Sequence, residues 1–129
     1  MSVSVVRLGT VRDPNEGLRI GTVRRPPRGV PKTEFATRDF YDVWMPILSP
    51  SPVLVSFALA VTDDRAWRVF ERKYRAEMKA PQALRILELL AALSRGTHFS
   101  VGCYCEDERR CHRSVLRALL SEHGANICD

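Results

Sequence analysis

The stretch Cys103-Tyr104-Cys105-Glu106-Asp107-Glu108-Arg109-Arg110-Cys111-His112-Arg113 gathers most of the reactive side chains of this 129-residue chain. Three of its four cysteines lie here, and the fourth, Cys128, stands beside the C-terminus. Secreted disulfide scaffolds are shorter and spread their cysteines out, so this clustering points to metal, catalysis or buried thiols. Three chemistries compete. Cys103, Cys105, Cys111 and His112 offer a zinc ligand set of three sulfurs and one nitrogen. The spacing speaks against it, because closed zinc hairpins favour C-x2-C or longer and adjacent Cys111 and His112 seldom reach one ion. Alternatively, Cys111 at a helix start beside His112 and Arg113 would have a lowered pKa and act as a thiolate nucleophile. Cys103 and Arg109 also match the C-x5-R spacing of cysteine phosphatases, but Glu106, Asp107 and Glu108 would repel a phosphate there.

In the third chemistry the thiols pack passively, while His112 and Arg113 bind an anion and His112 serves as acid or base. The Arg24-Arg25-Pro26-Pro27-Arg28-Gly29-Val30-Pro31 segment favours this reading. Its prolines stiffen the loop, so its arginines lose less entropy on gripping a ligand. Arginine also matches phosphate bidentately, which lysine cannot do. Residues 1–38 hold eight basic side chains against three acidic ones, whereas residues 39–129 hold twelve of each. The whole net charge of +5 therefore resides in the N-terminal third. A solvated arginine-rich surface is the plainer alternative, since 17 of the 20 basic residues are arginine.

Several elements must position these groups. Valine-rich Ser2–Leu8 predicts a first strand, Asp13–Gly17 a turn, and Leu18–Val23 a second extended piece. Lys32–Val43 is expected to hold a helical turn or two. Val53–Val61 is a continuous apolar run without periodicity, and strand is the preferred reading. Trp67, Phe70, Tyr74 and Met78 recur at spacings of three and four, which predicts an amphipathic helix over Asp64–Met78. Pro81, the leucines through Leu93 and Gly96 bound another helix. His98–Cys105 reads as a central strand and Cys111–His123 as the last helix, ended by Gly124. Cys103 and Cys105, two apart, are expected on one strand face. His98 and His123 are taken as structural, and Cys128 as part of a frayed tail.

Strands interleaved with helices imply an α/β fold: one compact domain over residues 1–129, with a Rossmann-like, partly parallel sheet flanked by helices. In such sheets ligands bind beyond the carboxyl ends of strands, which places suspicion on the strand-turn-helix junction at 103–113. The chain has no apolar run of 18 residues, and arginines interrupt any leader pattern, so no membrane span and a cytoplasmic location are expected.

The ordered set Arg24-x-x-Pro27-Arg28-Gly29, Trp44…Leu48-Ser49-Pro50-Ser51, Phe70-x-x-x-Tyr74-x-x-Glu77 and Cys111-His112-Arg113 resembles the domain-of-unknown-function 488 family, which includes the YeaO-like proteins. The resemblance implies a small, cytoplasmic, mainly bacterial α/β protein and no established reaction. It directs attention to Arg24, Arg28, Cys111, His112 and Arg113. Where YeaO-like members carry Trp before Pro-Arg-Gly, this chain has Pro26, which removes a stacking surface.

The expectation is a protein that binds a phosphorylated ligand, such as a nucleotide or nucleic-acid end. Arg24, Arg25, Arg28 and Arg113 would hold the anion, and Cys111 and His112 would carry any turnover. No cofactor or metal is assigned. A non-catalytic nucleic-acid-binding module and a cysteine-ligated metal site are the alternatives.

Overall fold

The computed structural model describes residues 1–128. Strand β4 (Phe99–Cys103) is buried along its whole length because strands pair with it on both sides. On one side lies β1 (Val3–Arg7), on the other β2 (Leu18–Gly21). Strands β3 (Val43–Trp44) and β5 (Ile127–Cys128) complete the order β3-β2-β4-β1-β5. The expected partly parallel sheet is parallel at every described pairing.

Alternation divides β4 between two environments. Phe99 and Val101 join Val3 and Ile20 in a core to which all four helices contribute. Ser100 and Gly102 face the other way, against the 8–17 and 35–42 segments. Gly102 permits this close cover: a Cβ there would stand 2.6 Å from Leu8 Cδ2 and 2.8 Å from Val6 O.

The helices are α1 (Pro52–Leu59), α2 (Asp64–Glu77), α3 (Pro81–Leu93) and α4 (His112–Glu122). Helix α2 buries Trp67, Phe70 and Tyr74, as its stripe requires, and Asp63 caps it by accepting from Ala66 N. Helix α1 corrects the strand expected over 53–61. Ser51 accepts from Leu54 N and Pro52 opens the first turn, so the local cap selects helix where the apolar run is silent. Between 32 and 43 there is one 3-10 turn, Lys32–Glu34, and then irregular chain. Asp39 adopts a left-handed φ of 61°, which stops any longer helix, and Val43 enters β3. The tail expected to fray is instead strand β5, with Cys128 opposite Ser4. No helix among the described residues is long and apolar enough to cross a membrane.

Much of the N-terminal basic excess is consumed internally. Arg19, 1% exposed, grips Glu16 bidentately at 2.7 and 2.8 Å, and Ser100 Oγ donates to the same carboxylate at 2.6 Å. Arg12 pairs with Asp42 at 2.7 Å and with Asp39 at 3.3 Å. Burial alone would raise the Glu16 carboxyl, but hydrogen bonds from Arg19 and Ser100 and the nearby positive charges hold it below its ordinary value. The unfolded chain therefore binds this proton more readily than the folded one. The stability linked to Glu16 is full above the ordinary glutamate pKa and drains as pH falls through the lowered folded value. Thermal unfolding followed from pH 7 to pH 3 is expected to show a steep acid limb in the wild type. In Glu16→Gln the whole curve should lie lower and its acid limb should be flatter.

Candidate functional site

Chain direction places the site. From the adjacent pair β2 and β4 the chain departs in opposite directions, to β3 on one side and towards β5 on the other. A crevice opens beyond the carboxyl ends of strands at such a switch point. Here it is a cleft of about 470 Å³. Its floor is Cys103, Cys111 and His112, one wall is α1 with Pro50 and Phe70, and Arg24, Arg25 and Arg110 contribute from the rim.

The wall at Leu48–Ser51 is clamped by side chains of the ordered motifs. Tyr74 Oη donates to Leu48 O at 2.6 Å. Glu77 accepts from Ser51 N at 2.8 Å and from Ser51 Oγ at 2.5 Å. Arg24 donates to Ser49 O and Pro50 O at 3.1–3.2 Å. Trp44 Nε1 donates to Val23 O at 2.8 Å, fixing the chain as it leaves β2. These motif residues are thus mostly scaffold, holding the loop that the cleft needs.

On the floor, His112 has a determined orientation. Its Nε2 lies 2.8 Å from Thr22 O and 3.2 Å from Thr22 Oγ1, and that hydroxyl donates its own proton to Gly102 O at 2.9 Å. Both neighbours of Nε2 accept, so Nε2 carries the proton. Nδ1 is left with its lone pair directed to Cys111 Sγ, 3.8 Å away. The edge of the imidazole packs on Tyr74, with centroids 5.5 Å apart. Cys111 is the extended residue capping α4 and His112 is the first helical residue, and this break lets adjacent side chains reach one point.

Strand β4 ends at Cys103, and Cys105 lies in the irregular chain beyond it, yet the two sulfurs stand 3.8 Å apart. The three thiols form one proton-sharing cluster. Cys103 donates its one proton to Cys105, and its own thiol is pushed far up by its two sulfur neighbours and by burial. Hydrogen bonds from Cys103 and Cys111, aided by the Arg113 charge and opposed by burial, push Cys105 down to about 3. Cys111 is also pushed down, first by Cys103 and then by His112.

Of the four arginines expected to hold an anion, Arg24 and Arg25 reach the cleft. Arg24 spends its guanidinium on carbonyls. Arg28 is exposed and does not line the cleft. Arg113 is 3% exposed; its Nη2 donates to Cys105 O at 2.5 Å, its Nε finds no partner, and no carboxylate among the described residues pairs with it. Arg109 turns outward to Asp107 at 3.2 Å, which removes it from the C-x5-R geometry. Sequence reasoning passes over Arg110 and Thr22. Arg110 pairs with Asp64 and lies 5.9 Å from the Trp67 ring, on the rim. No local signal marks Thr22, whose role depends on a residue ninety positions away.

A family model described as DUF488-N3a, the active DUF488-N3 subclade, matches residues 3–124. No curated protein and no solved structure matches the chain.

The clamp can be measured through its buried member. Tyr74→Phe keeps the ring but strands Leu48 O, at a cost of about 1–2 kcal/mol. Urea unfolding should show that loss as a lower midpoint with an unchanged slope; an unchanged midpoint would mean the Tyr74 hydroxyl holds nothing.

Proposed function

The chain belongs to the DUF488-N3a family, and from that premise we propose that its cleft binds a small phosphorylated ligand, such as a nucleotide or a nucleic-acid end, and presents the ligand's reacting end to Cys111 and His112. The observation that carries this reading is the composite character of the cleft. An apolar wall of Pro50, Val55, Leu59 and Phe70 suits a planar ring, while Arg25 and Arg110 stand at the rim where an anionic group would rest. The positive end of α4 and the buried Arg113 add to the potential beneath it. Arg24 serves by fixing the wall.

Cys111 and His112 are the groups with geometry suited to chemistry. The proton on Nε2 keeps the Nδ1 lone pair turned to the Cys111 sulfur, so the pair is held ready without ligand. The word "active" in the family description accords with turnover at this floor.

Equilibrium dialysis with AMP, and separately with inorganic phosphate, tests the reading. Arg25→Ala and Arg110→Ala should each weaken AMP about tenfold, corresponding to ~1.5 kcal/mol for a charge-assisted hydrogen bond. Arg95→Ala, beyond the end of α3 and bonded to Gly124 O away from the cleft, should change nothing. Absence of AMP and phosphate binding, together with strongly salt-dependent binding of a single-stranded oligonucleotide, would replace the pocket with a surface module.

A further inference from the structure

The donor atoms of Cys103, Cys111 and His112 all lie within 4.8 Å of one another, and all three residues are buried. Four further observations bear on what those atoms can hold. A tetrahedral zinc ion with Zn–S bonds of about 2.3 Å sets its sulfurs about 3.8 Å apart. The Sγ atoms of Cys103 and Cys105 stand 3.8 Å apart, and so do Cys111 Sγ and His112 Nδ1. The outer nitrogen of His112 donates to the backbone carbonyl of Thr22, the arrangement that orients metal-binding histidines and fixes their tautomer. Arg113 is a buried guanidinium with an unpartnered Nε and no carboxylate, in contact with the Cys105 carbonyl. A buried charge without a counter-charge is costly, and the negatively polarised sulfurs of a zinc-thiolate group would offset part of that cost even though zinc and two thiolates sum to zero charge.

We infer that Cys103, Cys111 and His112 bind one zinc ion on the floor of the cleft, with the fourth coordination position on the cleft side beside Cys105. Two thiolates and one imidazole are a borderline-soft donor set that suits zinc over magnesium or calcium. Binding involves no redox change: Zn²⁺ displaces one proton from each of Cys103 and Cys111, and both protons pass to solvent. Cys105 is exposed and sits on irregular chain, so it borders the open position without holding the metal, and an incoming anion can occupy that position. The site deepens the ligand reading above by naming what the floor offers to an anion, although its support is separate.

The experiment is zinc quantification by mass spectrometry on protein purified with a phosphine reductant and without chelator. About one equivalent is expected in the wild type, and less than about a tenth in Cys103→Ser and His112→Ala. Cys105→Ser and Cys128→Ser should keep the metal; its loss from Cys105→Ser would overturn the open fourth position. Cys103 lies in the central strand and its variant can unfold, so a second measurement uses wild type alone. Chelator-stripped protein, shown folded by circular dichroism, is titrated with Co²⁺. An intense tetrahedral visible spectrum with a sulfur charge-transfer band, bleached by Zn²⁺, is expected. Wild type without zinc, giving only the pale spectrum of hydrated Co²⁺, overturns the site and leaves the cluster as free thiols. AMP binding by a protein that takes up neither zinc nor tetrahedral Co²⁺ would sink this inference alone, whereas zinc binding without AMP binding would sink the ligand reading alone.

Discussion

The structure depends on the burial of one five-residue strand. Because β4 is paired on both sides, its backbone is fully satisfied without water, and its side chains are forced alternately into two unlike environments. Cys103 ends the strand and is therefore placed by the sheet as a whole, not by a loop. Thr22 is placed likewise, by a backbone bond from its N to Gly102 O. A rigid strand end and the start of α4, tied to Thr22 through His112, thus define the floor, and the irregular chain after Cys103 supplies the adjustable part. That division suits a site whose inner atoms must be exact to a few tenths of an ångström while its mouth accommodates a ligand.

The arginines show how one residue type is divided among tasks by burial. Arg19 is enclosed, and its carboxylate partner Glu16 is enclosed with it. Arg12 spans two aspartates and ties the 35–42 segment across the sheet. Arg24 gives its donors to carbonyls that helices and strands leave unsatisfied. A planar fork with five donors can serve such carbonyls from several directions, which a lysine cannot. Only after these demands are met do Arg25 and Arg28 remain without ion pairs among the described residues, and Arg113 remains buried without an acid.

Legibility in the sequence followed the range of the interactions involved. Helices α2, α3 and α4 were legible because period, proline and glycine signals are local, and β4 because a short apolar run precedes a polar turn. The run at 53–61 was not, since a uniformly apolar segment has no period; the deciding Ser51-Pro52 cap lies just outside it. Strand β3 is two residues long and exists through pairing with β2, which no local pattern encodes. At the site, the importance of 103–113 was plain from its residue types. Counting charges could not foresee that Arg12, Arg19 and Arg24 are engaged, or that Arg113 is not. Adjacent Cys111 and His112, which seldom reach one point, do so here because Cys111 is extended and His112 is helical, a break that their spacing does not encode.

The chain has two tryptophans, and both belong to the cleft's surroundings. Trp44 hydrogen-bonds the carbonyl of Val23, which lines the cleft. Trp67 stacks on Phe70 at 4.7 Å between centroids, beneath the Arg110 guanidinium. Indole emission responds to hydrogen bonding, nearby charge and ring contact, so this protein carries two built-in optical reporters, each in contact with a residue that lines the opening. Its intrinsic fluorescence is in effect a local signal of events in the cleft, obtained without a dye or a label.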